Sequence, residues 1–516
     1  MKYVSVSEMI SIEKAADASG HTYPAMMEAA GKGLAKLIHQ RYGSSELRKI
    51  TALVGSGNNG GDALVAIDYL SAWGWSTGVI LLRERPSADP LVQRAVKNHA
   101  SLFEYLDGDQ FPANLRAEIT ESDLLIDGVL GTGIKLPLRP PLDKIMGTIK
   151  DLLAELEQRP TIIAVDCPSG VDCDTGQVSC VCLPADLTVT MAAVKSGTLQ
   201  FPAYSYLGEL AVVDIGLPDG LPEYDGIKRE IIDGDWVRSS LPARPPEAHK
   251  GTFGTCLVIA GSEEYPGAAV LAGRSAYKIG AGLVSMAVPK RIYQGLIKTL
   301  PEAIWLVLPD ESGGIAEEAA ELIRDAISKP TACLVGPGLG TRDGTGKFLS
   351  NLLQMEGLPS LVIDADGLRL LADIRDWHQR IPDDCVLTPH PGEMSALTGL
   401  DVEQIQANRV GIAEEYAILW KQIVLLKGAH TVIAAPDGRT KILISANPAL
   451  ARAGSGDVLA GIISGLIAQG QEPFDAAAAG CWIHSKAGEL AEKKCGSSAA
   501  VLAGDISDFI GQVLPG

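Results

Sequence analysis

Asp457 ends the run Gly454-Ser455-Gly456-Asp457, which passes directly into the apolar helical pattern Val458-Leu459-Ala460-Gly461-Ile462-Ile463. Glycines let the backbone turn tightly and bring its N–H groups against a ligand. The helix start behind them adds unpaired donors and a partial positive charge, which suits an anion, most often a phosphate. The same field is expected to hold a carboxylate at Asp457 ionised beside the anion, where a general base is needed. An isolated Gly-Ser-Gly-Asp reads equally well as a helix N-cap. The surrounding elements have to decide between the two.

A second set of groups lies in the first half. Residues Ile50-Thr51-Ala52-Leu53-Val54 read as a buried strand that runs into Gly55-Ser56-Gly57-Asn58-Asn59-Gly60-Gly61-Asp62, with an apolar helix after it (Leu64, Val65, Ile67, Leu70). Strand, Gly-rich turn and helix is the layout of a dinucleotide or phosphate loop. Asn58, Asn59 and Asp62 lie outside the usual dinucleotide fingerprint; their oxygens suit a hard cation or a polar ligand. Two more strands end in acids followed by Gly-bearing loops: 124–127, ending at Asp127, and 161–166, ending at Asp166. One acid at a strand end is as often a cap as a ligand; two of them favour a site. A further strand, 185–191, leads to Lys195, which reads either as a phosphate contact or as a solvated lysine.

The elements that position these groups alternate throughout, giving an α/β fold with its ligands outside the carboxyl ends of the strands. The opening residues 6–38 have helical periodicity and few strand signals. The stretch Leu217-Pro218-Asp219-Gly220-Leu221-Pro222 is dense in Pro and Gly and reads as a linker, dividing the chain into domains 1–222 and 223–516. In the second domain, strands are read at 255–260, 283–288, 332–335, 361–364, 385–388 and 423–426, with a hairpin return at 431–435 and a small-residue helix at 267–279. His390, held between Pro389 and Pro391 and near Glu393, is rigidly presented and reads as a ligand contact in preference to a structural histidine. Lys427 reads as a nucleotide contact or a solvated lysine.

Composition bounds the rest. A chain of 516 residues is too long for one ordinary domain, and 46% hydrophobic with 21% charged residues is the balance of a soluble protein with large cores. A net charge of −19 argues against nucleic-acid and acidic-membrane partners, so a phosphorylated ligand must be held by local N–H groups, a few lysines or a metal ion. Nine cysteines, mostly single in apolar runs, suggest a reducing compartment, and the cytoplasm is expected. Cys167, Cys173, Cys180 and Cys182 cluster without CxxC spacing, which disfavours a structural zinc. No apolar run reaches transmembrane length.

Taken in order, GSGNNGGD, DGVLGTG and VDCPSGVDCDTG resemble the NAD(P)H-hydrate epimerase family over almost all of residues 1–218. The resemblance implies a Rossmann-like three-layer sandwich that interconverts the R and S hydrates, with a potassium ion near the site. It implies hydrate contacts at Asn58, Asn59, Gly60, Gly61 and Asp62, at Gly131, Thr132, Gly133, Ile134, Lys135, Leu136 and Pro137, and at Asp166. Potassium ligands would be Asn59, Asp127 and Ser169, with Asp166 as the acid/base group. Ala63 and Cys167 stand where the family often has Gly and Ile, and neither change removes a ligand.

The second half resembles the ribokinase-like superfamily, and within it HKGTFG, AGSEEYPGAA, GPGLG, DADGL, TPHPGE and LKGAHT resemble the ADP- or ATP-dependent NAD(P)H-hydrate dehydratases from about residue 225 onward. That implies hydrate contacts at Gly338, His390, Pro391, Gly392, Glu393, Met394, Ser395, Ala396 and Asp457. ADP, brought with Mg²⁺, would meet Lys427, Gly428, Ala429, His430 and Thr431, then Asn447, Pro448, Ala449, Leu450, Ala451, Arg452, Ala453, Gly454, Ser455 and Gly456. Ser455 replaces the commoner Thr and keeps a hydroxyl there. The partners implied are NADH hydrate, NADPH hydrate and ADP, and a homo-oligomer is expected. The competing reading is a ribokinase-type small-molecule kinase fused to a non-catalytic nucleotide-binding module. It should lack the epimerase motifs and the TPHPGE loop.

Overall fold

Strands that are apolar on both faces need cover on both sides, and Lys49–Val54, Leu124–Gly128, Thr161–Val165 and Leu187–Met191 are such strands, buried almost throughout. The computed structural model describes residues 1–44, 49–86, 88–104 and 111–514. The chain divides into two units, Met1–Lys228 and Arg229–Gly516. Tyr224 and Ile227 pack against the core of the first unit, beyond the Pro-rich stretch.

In the first unit seven parallel strands lie in the order Ser101–Glu104, Ser76–Leu81, Lys49–Val54, Leu124–Gly128, Thr161–Val165, Leu187–Met191, Glu209–Val213. Alternate residues supply two cores. Ile50, Ala52, Val54, Ile163 and Val165 join the helices Tyr23–Tyr42 and Asn58–Ala72 on one face. Leu53, Ile162 and Ala164 join Leu142–Glu155 on the other. Helices on both faces of one sheet make the three-layer sandwich. The chain reverses its direction across the sheet between Lys49–Val54 and Leu124–Gly128, a topological switch point. One short element escaped the sequence reading: Lys2–Val4 is a strand, paired in parallel with Ala193–Lys195 so that Val4 lies opposite Lys195. Three residues are too few to show a period. Ser5 then starts the helix Val6–Ala18 with a capping box to Glu8.

The second unit is built the same way. Its strands run Ile304–Leu308, Leu283–Pro289, Thr255–Ile259, Ala332–Val335, Ser360–Ile363, Val386–Leu387, Ile423–Leu426, Val432–Ala434, Thr440–Ile442, Arg229–Ile231. Neighbours are parallel as far as Ile423–Leu426, where the hairpin turns antiparallel; Arg229–Ile231 pairs in parallel with Thr440–Ile442. The long helices Pro266–Lys278, Ser455–Ala468, Pro473–Cys495 and Ala503–Val513 cover one face. Asp343–Leu352, Asp366–Ala372 and Arg409–Trp420 cover the other. The switch point here lies between Thr255–Ile259 and Ala332–Val335, where Gly261 N–H donates to Pro337 O (2.8 Å).

Candidate active sites

In the first unit the three Gly-bearing loops meet at the strand ends. Asn59, in the first turn of Asn58–Ala72, donates through Nδ2 to Val165 O, just before Asp166, and to Leu130 O (3.2 Å). A Cβ added at Gly131 would lie 2.3 Å from Asn59 Oδ1, so only glycine lets the DGVLGTG loop close over this amide. Asp127 is fully buried and accepts from Ser169 N (2.8 Å) and Ser169 Oγ (2.5 Å), while Leu130 N–H donates to Ser169 Oγ (2.8 Å). Burial raises the Asp127 carboxyl above its ordinary range in spite of these Ser169 bonds. Asn59, Asp127 and Ser169 therefore form an all-oxygen set around a buried carboxylate, with the Asn59 NH₂ spent on carbonyls and its Oδ1 left over. That donor set fits a hard monovalent cation.

Asp166 stands at the end of Thr161–Val165 with φ 65, a left-handed conformation that costs a non-glycine residue about 1–3 kcal/mol. The turn aims its carboxylate back at the sheet. Oδ1 accepts from Lys195 Nζ, from Thr190 Oγ1 (2.9 Å) and from Met191 N (3.0 Å). Among the described residues Oδ2 takes no such bond and stays open. Lys195 corrects the sequence reading, because it is neither solvated nor free for a phosphate. It is 1% exposed, and its ammonium is spent on Asp166, Thr190 Oγ1 (3.2 Å) and Met191 O (2.9 Å). Asp62 is buried nearby; burial first, then the charges of Asp166 and Glu13, hold its carboxyl well above the usual range. Glu13, on the N-terminal helix, is raised by burial, with Lys195 opposing. Sequence reading missed Glu13 because a helical Glu carries no local signal. Gly133, Lys135 and Pro137 lie on an exposed stretch. Of the four clustered cysteines, Cys167, Cys173 and Cys182 are buried and Cys180 exposed; all are free thiols. A cavity of about 850 Å³ lies beside Ser76–Leu81, lined by Glu84, Arg85 and Lys97 among others. Arg85 ties it to the Gly-rich turn through Gly55 O (2.6 Å), but neither Asp127 nor Asp166 lines it.

In the second unit, Gly454 takes φ 87 as N-cap and Asp457 falls in the first turn of Ser455–Ala468. The helix field is not the main influence on Asp457. Burial, then the neighbouring Asp364, push its carboxyl up to about 7, with Lys427 opposing. Asp364 is 1% exposed at the end of Ser360–Ile363 and accepts from Lys427 Nζ (2.6 Å) and Thr388 Oγ1 (2.7 Å). Lys427 also faces Glu393 (3.6 Å). Burial works against its charge, but Asp364 and Glu393 outweigh that and lift its pKa. Asp366 binds the Gly-rich loop, accepting from Gly340 N (2.9 Å), next to Gly338 at φ 63. Two strand ends and two helix starts thus bring Asp364, Lys427, Glu393 and Asp457 together.

Other residues fall differently. His390 caps its helix: Nδ1 accepts from Gly392 N (2.9 Å) and Glu393 N (3.1 Å), leaving the Nε2 edge toward Glu393 Oε1 (3.3 Å). Met394 and Ala449 are fully buried in the two cores. Asn447 caps the turn at Pro448–Leu450; Ala451, Arg452 and Ala453 are exposed. Three functional neighbours escaped the sequence. Asp364 had a signal, the strand-end acid of DADGL. His484, which bonds Ser455 Oγ (3.0 Å) and is held neutral by burial with a pKa near about 4, is a lone His in an Ala-rich helix. Arg409 anchors the Lys427 loop through Leu426 O (2.9 Å) and Lys427 O (3.2 Å), and burial lowers it to about 10.

Comparison with known proteins gives two family matches: residues 24–197 to the YjeF-related protein N-terminus, and residues 256–512 to the NAD(P)H-hydrate dehydratases. The chain is 36% identical to a bifunctional NAD(P)H-hydrate repair enzyme of Moorella thermoacetica, covering 100% of this chain and 97% of the relative. It is 37% identical to one from Thermofilum pendens, covering 96% and 93%. Among solved structures, the ADP/ATP-dependent NAD(P)H-hydrate dehydratase of Bacillus subtilis, co-crystallised with ATP and Mg²⁺, is 31% identical with a TM-score of 0.48, covering 55% of this chain and 97% of that one.

Proposed function

The chain belongs to the bifunctional NAD(P)H-hydrate repair enzymes, and from that premise we propose that its halves, 1–222 and 223–516, perform consecutive steps. The first epimerises R and S hydrates of NADH and NADPH. The second dehydrates the S form with ADP as phosphoryl donor, giving AMP, phosphate and NAD(P)H. The observation that carries this reading is the meeting of Asp457 and Glu393, from two helix starts, with Asp364 and Lys427, from two strand ends.

Hydroxide leaves poorly, so the hydrate's hydroxyl is converted to phosphate before elimination. Asp457, with a pKa near about 7, is poised to take the hydroxyl proton at neutral pH. The N–H groups of the Gly454–Gly456 turn stabilise charge on the transferring phosphoryl group. Lys427, pinned by Asp364, supplies a fixed positive charge beside it. Elimination of phosphate, driven by the ring nitrogen's lone pair, returns the reduced nicotinamide. Magnesium brought with ADP would supply charge neutralisation on its phosphates.

In the first unit Asn59, Asp127 and Ser169 would hold potassium, which supplies positive charge beside the hydrate. Asp166 moves the proton through its open Oδ2. Nine free cysteines, with most of them buried, suit a reducing cytoplasm; among the described residues no helix is long and apolar enough to cross a membrane. A homo-oligomer without nucleic-acid or membrane partners is the assembly we expect.

The test is conversion of a mixed R/S NADH-hydrate pool with ADP, Mg²⁺ and potassium, followed by return of reduced-nicotinamide absorbance. Complete recovery faster than spontaneous epimerisation is expected. Recovery that stops when the S form is consumed would refute the epimerase half. No recovery with ADP or with ATP would point to a kinase.

A further inference from the structure

Turning one hydrate epimer into the other is an acid–base reaction with two ends. The reacting carbon bears both the ring nitrogen and the hydroxyl. Opening the ring moves the O–H electron pair into a C=O bond and the C–N pair onto nitrogen. One group must take the hydroxyl proton while another gives a proton to nitrogen. Rotation then presents the other aldehyde face, nitrogen re-adds, and both protons return along the same routes. Asp166 alone, with one open oxygen, serves one end.

A second buried carboxyl lies within its electrostatic reach. Asp62 is 7% exposed and makes no hydrogen bond or ion pair with any described residue. It stands three residues beyond Asn59 on the helix Asn58–Ala72, on the same side one turn along. The Asn59 bond to Val165 O fixes that helix start against the residue preceding Asp166. On the far side, Lys195, Thr190 and Met191 N occupy Asp166 Oδ1, so Oδ2 is the oxygen left for the reaction. A buried carboxyl without a hydrogen-bond partner among the described residues thus lies within electrostatic reach of Asp166, whose Oδ2 is open.

We propose that Asp62 is a second catalytic residue of the epimerase, donating the proton to the ring nitrogen while Asp166 takes the one from the hydroxyl, then reversing. This rests on the epimerase reading above. The charged groups facing Asp62 are Asp166 from its strand end, Glu13 from the helix Val6–Ala18 and Lys195; burial, with the first two, raises the Asp62 carboxyl well above its ordinary range, and Lys195 opposes them.

The test is steady-state epimerisation by the full chain bearing Asp62→Asn, with turnover of pure S hydrate by the same preparation as the folding control. The amide keeps size and an N–H donor but has no proton to transfer. We expect kcat to fall about 100- to 10,000-fold with KM changed less than about threefold, and the alkaline limb of the kcat–pH profile to vanish. Asp62→Glu should recover part of the lost kcat. An Asn variant within about threefold of the parent kcat overturns the proposal, as does a rise in KM with kcat kept, which would make Asp62 a binding group only. Either result leaves the epimerase reading standing if Asp166→Asn is inactive. A parent enzyme no faster than spontaneous epimerisation overturns both.

Discussion

Asp457→Asn should cost the enzyme its dehydratase and make its second unit more stable, and the gain should depend on pH in a calculable way. The fold raises this carboxyl from 3.8 to about 7. Below the lower value both folded and unfolded chains hold the proton and the fold loses nothing. Between the two, the unfolded chain has released its proton while the folded one still holds it, so stability falls as pH rises. Above about 7 the penalty levels off, at about 4 kcal/mol for 1.36 kcal/mol per unit. An amide never ionises and escapes that penalty. Relative to the parent, the variant should gain about 3 kcal/mol at pH 6 and about 4 kcal/mol at pH 8. The increment between them, about 1.4 kcal/mol, is the sharper quantity, because any packing change from the new amide cancels. Urea unfolding followed by tryptophan fluorescence suits this, since Trp236, Trp305, Trp377, Trp420 and Trp482 all lie in the second unit. Dehydration of S hydrate, measured on the same samples, should fall by about 100-fold or more, with epimerisation intact. A gain that is flat from pH 6 to 8, or a loss at pH 8, would refute the burial argument. Dehydration at the parental rate would refute the role of Asp457 as base.

Two further outcomes follow from the first unit. Lys195→Met strands a buried carboxylate, and it should destabilise that unit by about 3–5 kcal/mol, abolish epimerisation and spare turnover of pure S hydrate; thermal unfolding with both assays checks it. Ser169→Ala removes the Oγ bonds to Asp127 Oδ1 and from Leu130 N–H while keeping the backbone bond to Asp127 Oδ2, and the potassium needed for half-maximal epimerisation should rise about 10-fold or more; an unchanged potassium titration would take Ser169 out of the cation site.

Much of this fold could be read from the sequence because parallel strands advertise themselves as short apolar runs, and here each ends in a polar, glycine-bearing loop. The runs before Gly55, Asp127, Asp166, Gly336 and Lys427 all became strands of one or other sheet. What failed depended on solvation and on contacts distant in sequence. Lys195 read as a phosphate contact or a solvated lysine because nothing nearby announces that Asp166 will meet it. Asp457 read as ionised because a helix start is a local feature, whereas the burial and the Asp364 charge that override it come from elsewhere in the fold. His390 adds a local role that spacing did not announce: two prolines present it rigidly, and its Nδ1 caps the helix that follows. Asp364 stood in plain view at a strand end; only the structure shows that Lys427 leans on it.

The pairing of Lys2–Val4 with Ala193–Lys195 has a consequence for how the first site comes into being. These partners are separated by roughly 190 residues, and contacts so distant in sequence close late because loop entropy must be overcome first. As synthesis proceeds, the Gly-rich turn, Asp62 and the Asp127 loop all emerge before the lysine that completes the cluster. Until that segment appears and docks, Asp166 lacks its ammonium partner and the opening strand lacks a neighbour. Assembly of the acid–base machinery thereby becomes one of the closing events in the maturation of its unit, so a partly made chain holds the loops without the chemistry.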